Sequence, residues 1–458
     1  MRDLQETARL TETSVARARR RTLPLCTVVH WSQIEPSPGQ YDQAYLARVA
    51  QVVDWAGQRG VEVLIDFHQD NYANVSRACC ADDGAPSWAW LVNETHLSAA
   101  EKLEIALMKK VIPQLDWEGA EVAFHAFWTN VKVPATQIGV QTHYIQAFAA
   151  VVNATRGKDA VIGWELMNEP LPGLDINLFG FASDYLYPFY SRLIQAVTGE
   201  RDGMPSCDCN ITTSPLLSVS CAEGVASPVS KSCSYPGLGI NTRKLMVFEP
   251  TAVRNQLDVS VQISKPFTAY ANVAYAPHTY TDSFTLWKKE PFQIAMETAA
   301  REATAMRAAL LVTEWGGPSV DRLAAISAEQ EKHLASTMHW VWKQNGGGGW
   351  SLFSAVNSTN FTIIPERLQT VSRVRPRAVA GELTSFAHES SRFWMVGKCD
   401  AGGISEVFAP AHWAQCGDSF KTNGSATVAS VKTRDDGSRV ISLGCVGTGG
   451  AFAASCEL

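Results

Sequence analysis

The stretch that decides the fold is AVIGWELMNEP, residues 160–170. An apolar, β-favouring run ends there in a glutamate, Glu169. A second stretch, ALLVTEWGG at 309–317, repeats the pattern and ends at Glu314. Continuous apolar strands of this kind suit a parallel sheet covered on both faces, not a half-exposed antiparallel one. Two carboxylates at the carboxyl ends of two strands are the equipment of glycoside cleavage, where one protonates the leaving oxygen and the other attacks or assists at the anomeric carbon. In a (β/α)8 barrel the loops after the strands form the active face, so both glutamates fall where catalytic groups belong.

Working outward, the chain alternates strands and helices. Strands are expected at 26–31, 61–67, 160–168, 244–249, 273–278, 309–314 and 348–353, with helices at 43–59, 98–111, 138–155, 178–198, 292–308 and 327–343. Seven strands are one short of a closed barrel, and the missing one belongs before the first helix. Beyond about residue 366 the pattern shifts to short alternating runs with Asp-Gly turns, as in TVASVKTRDDGSRVISLGCV, which predicts an antiparallel β-domain. The expected organisation is a catalytic barrel over 1–365, interrupted by a Cys-rich insertion at about 201–242, and a β-sandwich over 366–458.

Composition is that of a large globular protein, 46% hydrophobic and 18% charged over 458 residues. That length accommodates one barrel of about 250–350 residues and a smaller domain. A net charge of −6 gives no electrostatic case for nucleic acid or an anionic membrane surface. No run of about 20 apolar residues exists to span a bilayer.

Residues 1–21 are polar, helix-prone and basic at Arg17, Arg19, Arg20 and Arg21, without the apolar core of a secretory signal. Seven Asn-x-Ser/Thr sequons, at Asn74, Asn93, Asn153, Asn210, Asn357, Asn360 and Asn423, nevertheless point to the secretory route. Cys399, Cys416, Cys445 and Cys456 crowd into the last 60 residues and read as two disulfides; zinc lacks a Cys-x-x-Cys or a nearby His pair. The expected setting is secreted, or an endolysosomal or vacuolar lumen.

The motifs HWSQIEPSPGQYD (30–42), DFHQDNY (66–72), GAPSWA (84–89), WELMNEP (164–170), YAPHTY (275–280), VTEWGG (312–317) and RPRAVAG (375–381) occur in the order seen in glycoside hydrolase family five. Together they most resemble its endoglycoceramidase branch, over residues 22–386. The resemblance implies a (β/α)8 barrel followed by a small β-sandwich, and a retaining hydrolase that cuts the β-bond between oligosaccharide and ceramide without a metal or other cofactor. It implies Glu169 as acid/base and Glu314 as nucleophile. It also implies sugar contacts from His68, Asp70 and Asn168, His278 and Tyr280 beside the carboxylates, and Trp350 as an aromatic floor at the end of the last strand. Tyr280 matches a donor to the nucleophile. In the family the first strand carries a positive residue near the sugar, and nothing before residue 22 corresponds to it, so the barrel reads as N-terminally incomplete and without its signal peptide.

The expected partner is a glycolipid substrate taken up by a monomer. The alternatives are a glucosylceramide or steryl-glucoside β-glucosidase of the same family and a non-catalytic glycan- or lipid-binding relative, which the presence of both carboxylates disfavours. A ceramide slot is expected from the apolar residues of two loops, 71–92 and 115–135: Tyr72, Trp88, Trp90, Leu91, Trp117, Phe124, Phe127 and Trp128. The rival reading is that they pack as a local loop core.

Overall fold

A computed structural model of the chain describes residues 22–73, 84–91, 117–174, 176–199, 240, 242–257, 265–280, 291–343, 349–357, 360–389, 391–447 and 449–458, with Leu103, Ala106 and a short antiparallel pair, Asn210–Thr212 and Ser218–Ser220. Expectations for residues 1–21, the helix at 98–111, and Cys79, Cys80, Cys207, Cys209, Cys221 and Cys233 lie outside these residues. The described residues divide into two compact units, one within 22–289 and 298–311, the other within 291–297 and 312–458.

Seven strands form one sheet in chain order: β1 (Thr22–Val29), β2 (Val61–Phe67), β3 (Val161–Glu165), β4 (Leu245–Phe248), β5 (Val273–Tyr275), β6 (Ala309–Trp315) and β7 (Ser336–His339). The five pairings from β1 to β6 are parallel. With helices between the strands, this is a (β/α)8-type barrel architecture. Helix α1 (Gln43–Gln58) starts where the Asp42 carboxylate accepts from the amides of Ala44 and Tyr45, satisfying two of the amides left open at a helix start. Helices α2 (Trp117–Trp128), α3 (Val140–Thr155) and α4 (Tyr187–Thr198) follow. Their aromatic faces meet β2 in one core. Phe67 lies 4.7 Å from Phe148 and 5.7 Å from Tyr144, and Phe127, Trp128 and Phe189 interlock by edge contacts. Gly163 is required on β3 because a Cβ there would stand 2.3 Å from the Leu245 carbonyl oxygen of β4.

This core corrects the expectation of an aromatic ceramide slot. Residues 117–128 are a helix, and Tyr72, Phe124, Phe127 and Trp128 are buried. The Trp128 indole donates to the Leu171 carbonyl and the Tyr72 hydroxyl to that of Ala89. Trp88, Trp90 and Leu91 pack against the same core. These side chains close the space between the loops and helices, as the local-core reading holds.

A second correction concerns the end of the barrel. Helix α5 (Pro291–Met306) precedes α6, which spans Val320–Lys332, not 327–343, and the seventh strand is Ser336–His339, not 348–353. The run STMHWVW is rich in β-favouring residues, and tertiary pairing overrides its helix-like spacing of apolar positions. Residues beyond Ser351 instead form an antiparallel hairpin, β8 (Phe353–Asn357) with β9 (Asn360–Ile363), ahead of helix α7 (Pro365–Val371).

The C-terminal residues form two four-stranded antiparallel sheets. One has the order β10 (Arg375–Ala378), β13 (Ile404–Ala409), β16 (Arg439–Cys445), β15 (Ala426–Thr433). The other has the order β11 (Gly381–Glu389), β12 (Arg392–Cys399), β17 (Ala451–Glu457), β14 (Lys421–Gly424). Inward residues alternate along the strands, and Phe393, Met395, Val407, Ile441, Leu443 and Phe452 fill one core. The Asp435-Asp436-Gly437 turn joins β15 to β16 as its sequence predicts, with Gly437 at φ 80°. The four terminal cysteines form two disulfides, Cys399–Cys445 and Cys416–Cys456.

The Cys416–Cys456 bridge closes a 40-residue separation, for which loop-closure entropy gives a stabilisation of about 2–4 kcal/mol. Replacing both cysteines by serine should therefore make the β-sandwich open first. Hydrogen exchange should show protection lost in β12, β14 and β17 while barrel amides keep theirs; unchanged protection in those strands contradicts this.

Candidate active site

Parallel pairing sets the carboxyl ends of the strands along one edge, and the polar motif residues follow the strands there. His30 follows β1, His68 follows β2, Glu169 lies beyond β3, Glu249 follows β4 and His278 lies beyond β5. Each position is where an apolar run gives way to residues with chemistry.

Glu169 occupies an unusual backbone conformation, φ 39°. A non-glycine residue there is strained and persists only when its surroundings hold it. Two side chains do so. The Glu169 amide donates to Glu249 Oε2 at 3.2 Å, and the Gln69 side-chain amide donates to the carbonyls of Asn168 and Glu169 at 2.6 and 3.1 Å. Gln69 is fixed in turn, since its own Oε1 accepts from the Tyr72 amide. The Glu169 carboxylate reaches His278, with Oε1 2.8 Å from Nδ1, and Asn255 Nδ2 approaches the same oxygen at 3.5 Å. His278 is 0% exposed, with Nε2 3.3 Å from Glu249 Oε2, whereas the Glu169 side chain is 23% exposed. The outer carboxylate is thus open to a ligand while its support is closed off. Tyr280 sets its ring edgewise against His278, 6.3 Å between centroids. Asn168 donates through Nδ2 to the Gln69 carbonyl at 3.0 Å.

His68 Nδ1 lies 2.7 Å from Asp66 Oδ2 and Nε2 lies 3.7 Å from Asp70 Oδ2. Burial opposes a charge on this ring, but the two aspartates outweigh it and hold the imidazole well above its ordinary range. Burial, with His68 adding to it, lowers His30. Asp66 and Glu165 are register partners on β2 and β3, both buried. Donor atoms of Cys26, Asp66 and Glu165 lie within 4.8 Å of one another, as do those of Glu165, Glu249 and His278.

Glu314 is the penultimate residue of β6 and 8% exposed. The loop after it is pinned by Arg367 of α7, which donates to the carbonyls of Gly317 (2.9 Å), Pro318 and Trp350 (both 3.0 Å). Gly316 is needed there, since a Cβ would come 2.4 Å from the Trp340 carbonyl oxygen and 3.1 Å from the Trp350 ring. Trp350 therefore packs on the loop following Glu314 and does not end a barrel strand. The residue directly beyond β7 is Trp340, whose amide donates to the Trp315 carbonyl. Trp340 and Arg367 lie in none of the quoted motifs, and Gln69, though inside DFHQDNY, is assigned no role by the resemblance. Glu249 has one, because it follows an apolar strand as Glu169 and Glu314 do.

Fold and site define a (β/α)8-type barrel with carboxylates at the carboxyl ends of its strands. Residues 23–197 match the family model described as cellulase, glycosyl hydrolase family 5. Endoglycoceramidase I of Rhodococcus hoagii is 35% identical over 138 residues, 30% of this chain and 24% of that protein. A glucosylceramidase of Rhizopus delemar is 25% identical over 170 residues, 32% of this chain and 24% of that protein. The chain thus spans about a quarter of the length of either. Among solved structures, endo-glycoceramidase II from Rhodococcus sp. in its ganglioside GM3 complex aligns with a TM-score of 0.69 at 20% identity, covering 99% of this chain and 92% of that one, a likeness of fold. Residues 23–197 thus resemble glycosyl hydrolase family 5, and the relatives they bring in are an endoglycoceramidase and a glucosylceramidase.

The raised pKa of His68 fixes a sign. A charged His68 stabilises the fold fully below its unfolded value, about 6.5, and the contribution disappears as pH rises through the higher folded value. His68→Asn should cost about 3 kcal/mol at pH 6. Thermal melts of both proteins should converge as pH rises through that higher folded value; a gap that widens instead contradicts the assignment.

Proposed function

We propose that this chain is a retaining β-glycosidase that hydrolyses the bond between oligosaccharide and ceramide in glycosphingolipids. The observation carrying this reading is the pair of glutamates at strand ends of one parallel sheet, Glu169 with its carboxylate partly open and Glu314 beside the loop pinned by Arg367. In this reading Glu314 attacks the anomeric carbon while Glu169 gives its proton to the glycosidic oxygen. The ceramide alcohol departs and a glycosyl ester forms on Glu314. Glu169, now a carboxylate, takes a proton from water as the water oxygen displaces Glu314 from the sugar. His278 donates to Glu169, and Tyr280 serves the nucleophile. His68, Asp70 and Asn168 take the sugar hydroxyls, with Trp350 as a nearby aromatic surface. The two endoglycoceramidases among the relatives favour an intact oligosaccharide product. The glucosylceramidase matches favour the second reading, a β-glucosidase on monosaccharide glycolipids.

We assign residues 1–365 to catalysis and 366–458 to an accessory β-sandwich, in a protein that works as a monomer. Two disulfides and exposed sequon asparagines, Asn153 and Asn423, support passage through the secretory route to the outside or to an endolysosomal or vacuolar lumen. Among the described residues no helix is long and apolar enough to cross a membrane.

Glu314→Gln removes the nucleophile and keeps the shape. Turnover of a glycosphingolipid should fall below about 1% of wild type, because an amide cannot form the glycosyl ester; more activity than that removes Glu314 from the role. With the unaltered protein, release of intact oligosaccharide supports the first reading and free glucose the second. Equal or better hydrolysis of a soluble cello-oligosaccharide removes the lipid assignment.

A further inference from the structure

Glu249 follows β4 and is 0% exposed, so no substrate reaches it directly. It nevertheless touches both halves of the Glu169 support. Its Oε2 accepts from the strained Glu169 amide at 3.2 Å and stands 3.3 Å from His278 Nε2. The ring so held presents Nδ1 to Glu169 Oε1 at 2.8 Å. Asn255 completes the frame, accepting from the His278 amide at 3.2 Å. A buried carboxyl group without a metal or an arginine is costly to keep, and the described residues offer it a histidine and a backbone amide in return.

We propose that Glu249 is a positioning residue for acid/base catalysis: through one oxygen it holds the Glu169 backbone in its left-handed conformation and turns the His278 imidazole so that Nδ1 faces the Glu169 carboxylate. This rests on the reading of Glu169 as the acid/base. When Glu169 passes its proton to the leaving oxygen, His278 Nδ1–H is already in line to donate to the new carboxylate. The 3.3 Å between Nε2 and Glu249 Oε2 leaves room for one shared proton, borne by the ring or by the carboxyl group. Burial pushes the Glu249 carboxyl well up; His278 pulls the other way, and Glu165 and Glu169 of the β3 segment and Asp66 of β2 push it further up. Tyr144 of α3 and Tyr190 of α4, both buried and held well above the ordinary phenol range by that burial, also feel the charge of Glu249. A neutral Glu249 keeps a second full negative charge away from the acid.

The test compares substrates that need the acid with substrates that do not. Glu249→Leu keeps the volume and loses the acceptor. Its kcat/KM on an alkyl β-glycoside should fall about 100-fold, and on a 2,4-dinitrophenyl β-glycoside, whose leaving group needs no proton, less than about 3-fold. Glu249→Gln keeps an acceptor and should recover to within about 5-fold on both. Should the leucine variant fail to melt as a folded protein, Glu249→Asn, one methylene too short to reach both partners, takes its place. Equal losses on the two substrates, no loss on either, or a glutamine variant as impaired as leucine each overturn the proposal. Glu169→Gln is measured in parallel. If it shows no dependence on the leaving group, the acid/base reading itself has failed, whatever Glu249 does.

Discussion

Parallel pairing from β1 to β6 is the constraint on which the remaining features rest. An antiparallel arrangement would alternate strand ends between two edges; the parallel one gathers every carboxyl end on one side. Residues 30, 68, 169, 249 and 278 then become neighbours in kind although up to 248 positions separate them in sequence (278 − 30). The apolar strands bury both faces, and the polar residues follow where backbone pairing stops. The aromatic core of Phe67, Tyr144, Phe148 and Phe189 beneath β2 gives that edge a rigid base.

The second constraint is electrostatic. Asp66, Glu165 and Glu249 are buried carboxyl groups on or just beyond neighbouring strands, an arrangement that opposes folding unless each finds partners. Asp66 finds His68, and Glu249 finds His278 and an amide. A further buried pair lies outside this group: Glu35 takes His143 at 2.6 Å and the Trp31 indole at 2.9 Å. It braces the loop of Trp88, whose indole donates to the Glu35 carbonyl. Glu35 is thus a bracket of the barrel rim, a distinction from Glu169 that rests on burial and partners, since both precede proline in similar motifs.

Much of this was legible before any coordinates. VEVLIDF over 61–67 coincides with β2, and the strands carrying Glu169 and Glu314 fall where their apolar runs end. The DDG turn and the two terminal disulfides follow from local chemistry and cysteine crowding. What failed depends on tertiary pairing. The seventh strand hides in STMHW, whose spacing also suits a helix, while GGGGWSLFS reads as a strand and contributes to a hairpin. That misplacement carried Trp350 with it and left Trp340 unnoticed. The aromatic loops failed for another reason: apolar content shows that side chains will be covered, and only packing decides whether protein or lipid covers them. Gln69 was hidden because clamping a backbone at Glu169 requires proximity across 100 residues.

The central claim is that Glu314 becomes covalently joined to the sugar while Glu169 handles the proton. Incubation with a 2-deoxy-2-fluoro-β-glycosyl fluoride, followed by peptide mass spectrometry, tests it most directly, because the fluorine slows release of the ester and the fluoride leaves without acid help. The account predicts one added 2-fluoroglycosyl group on the peptide containing Glu314, absent from Glu314→Gln. A label on Glu169, or turnover of the probe with inversion and no labelled protein, contradicts it.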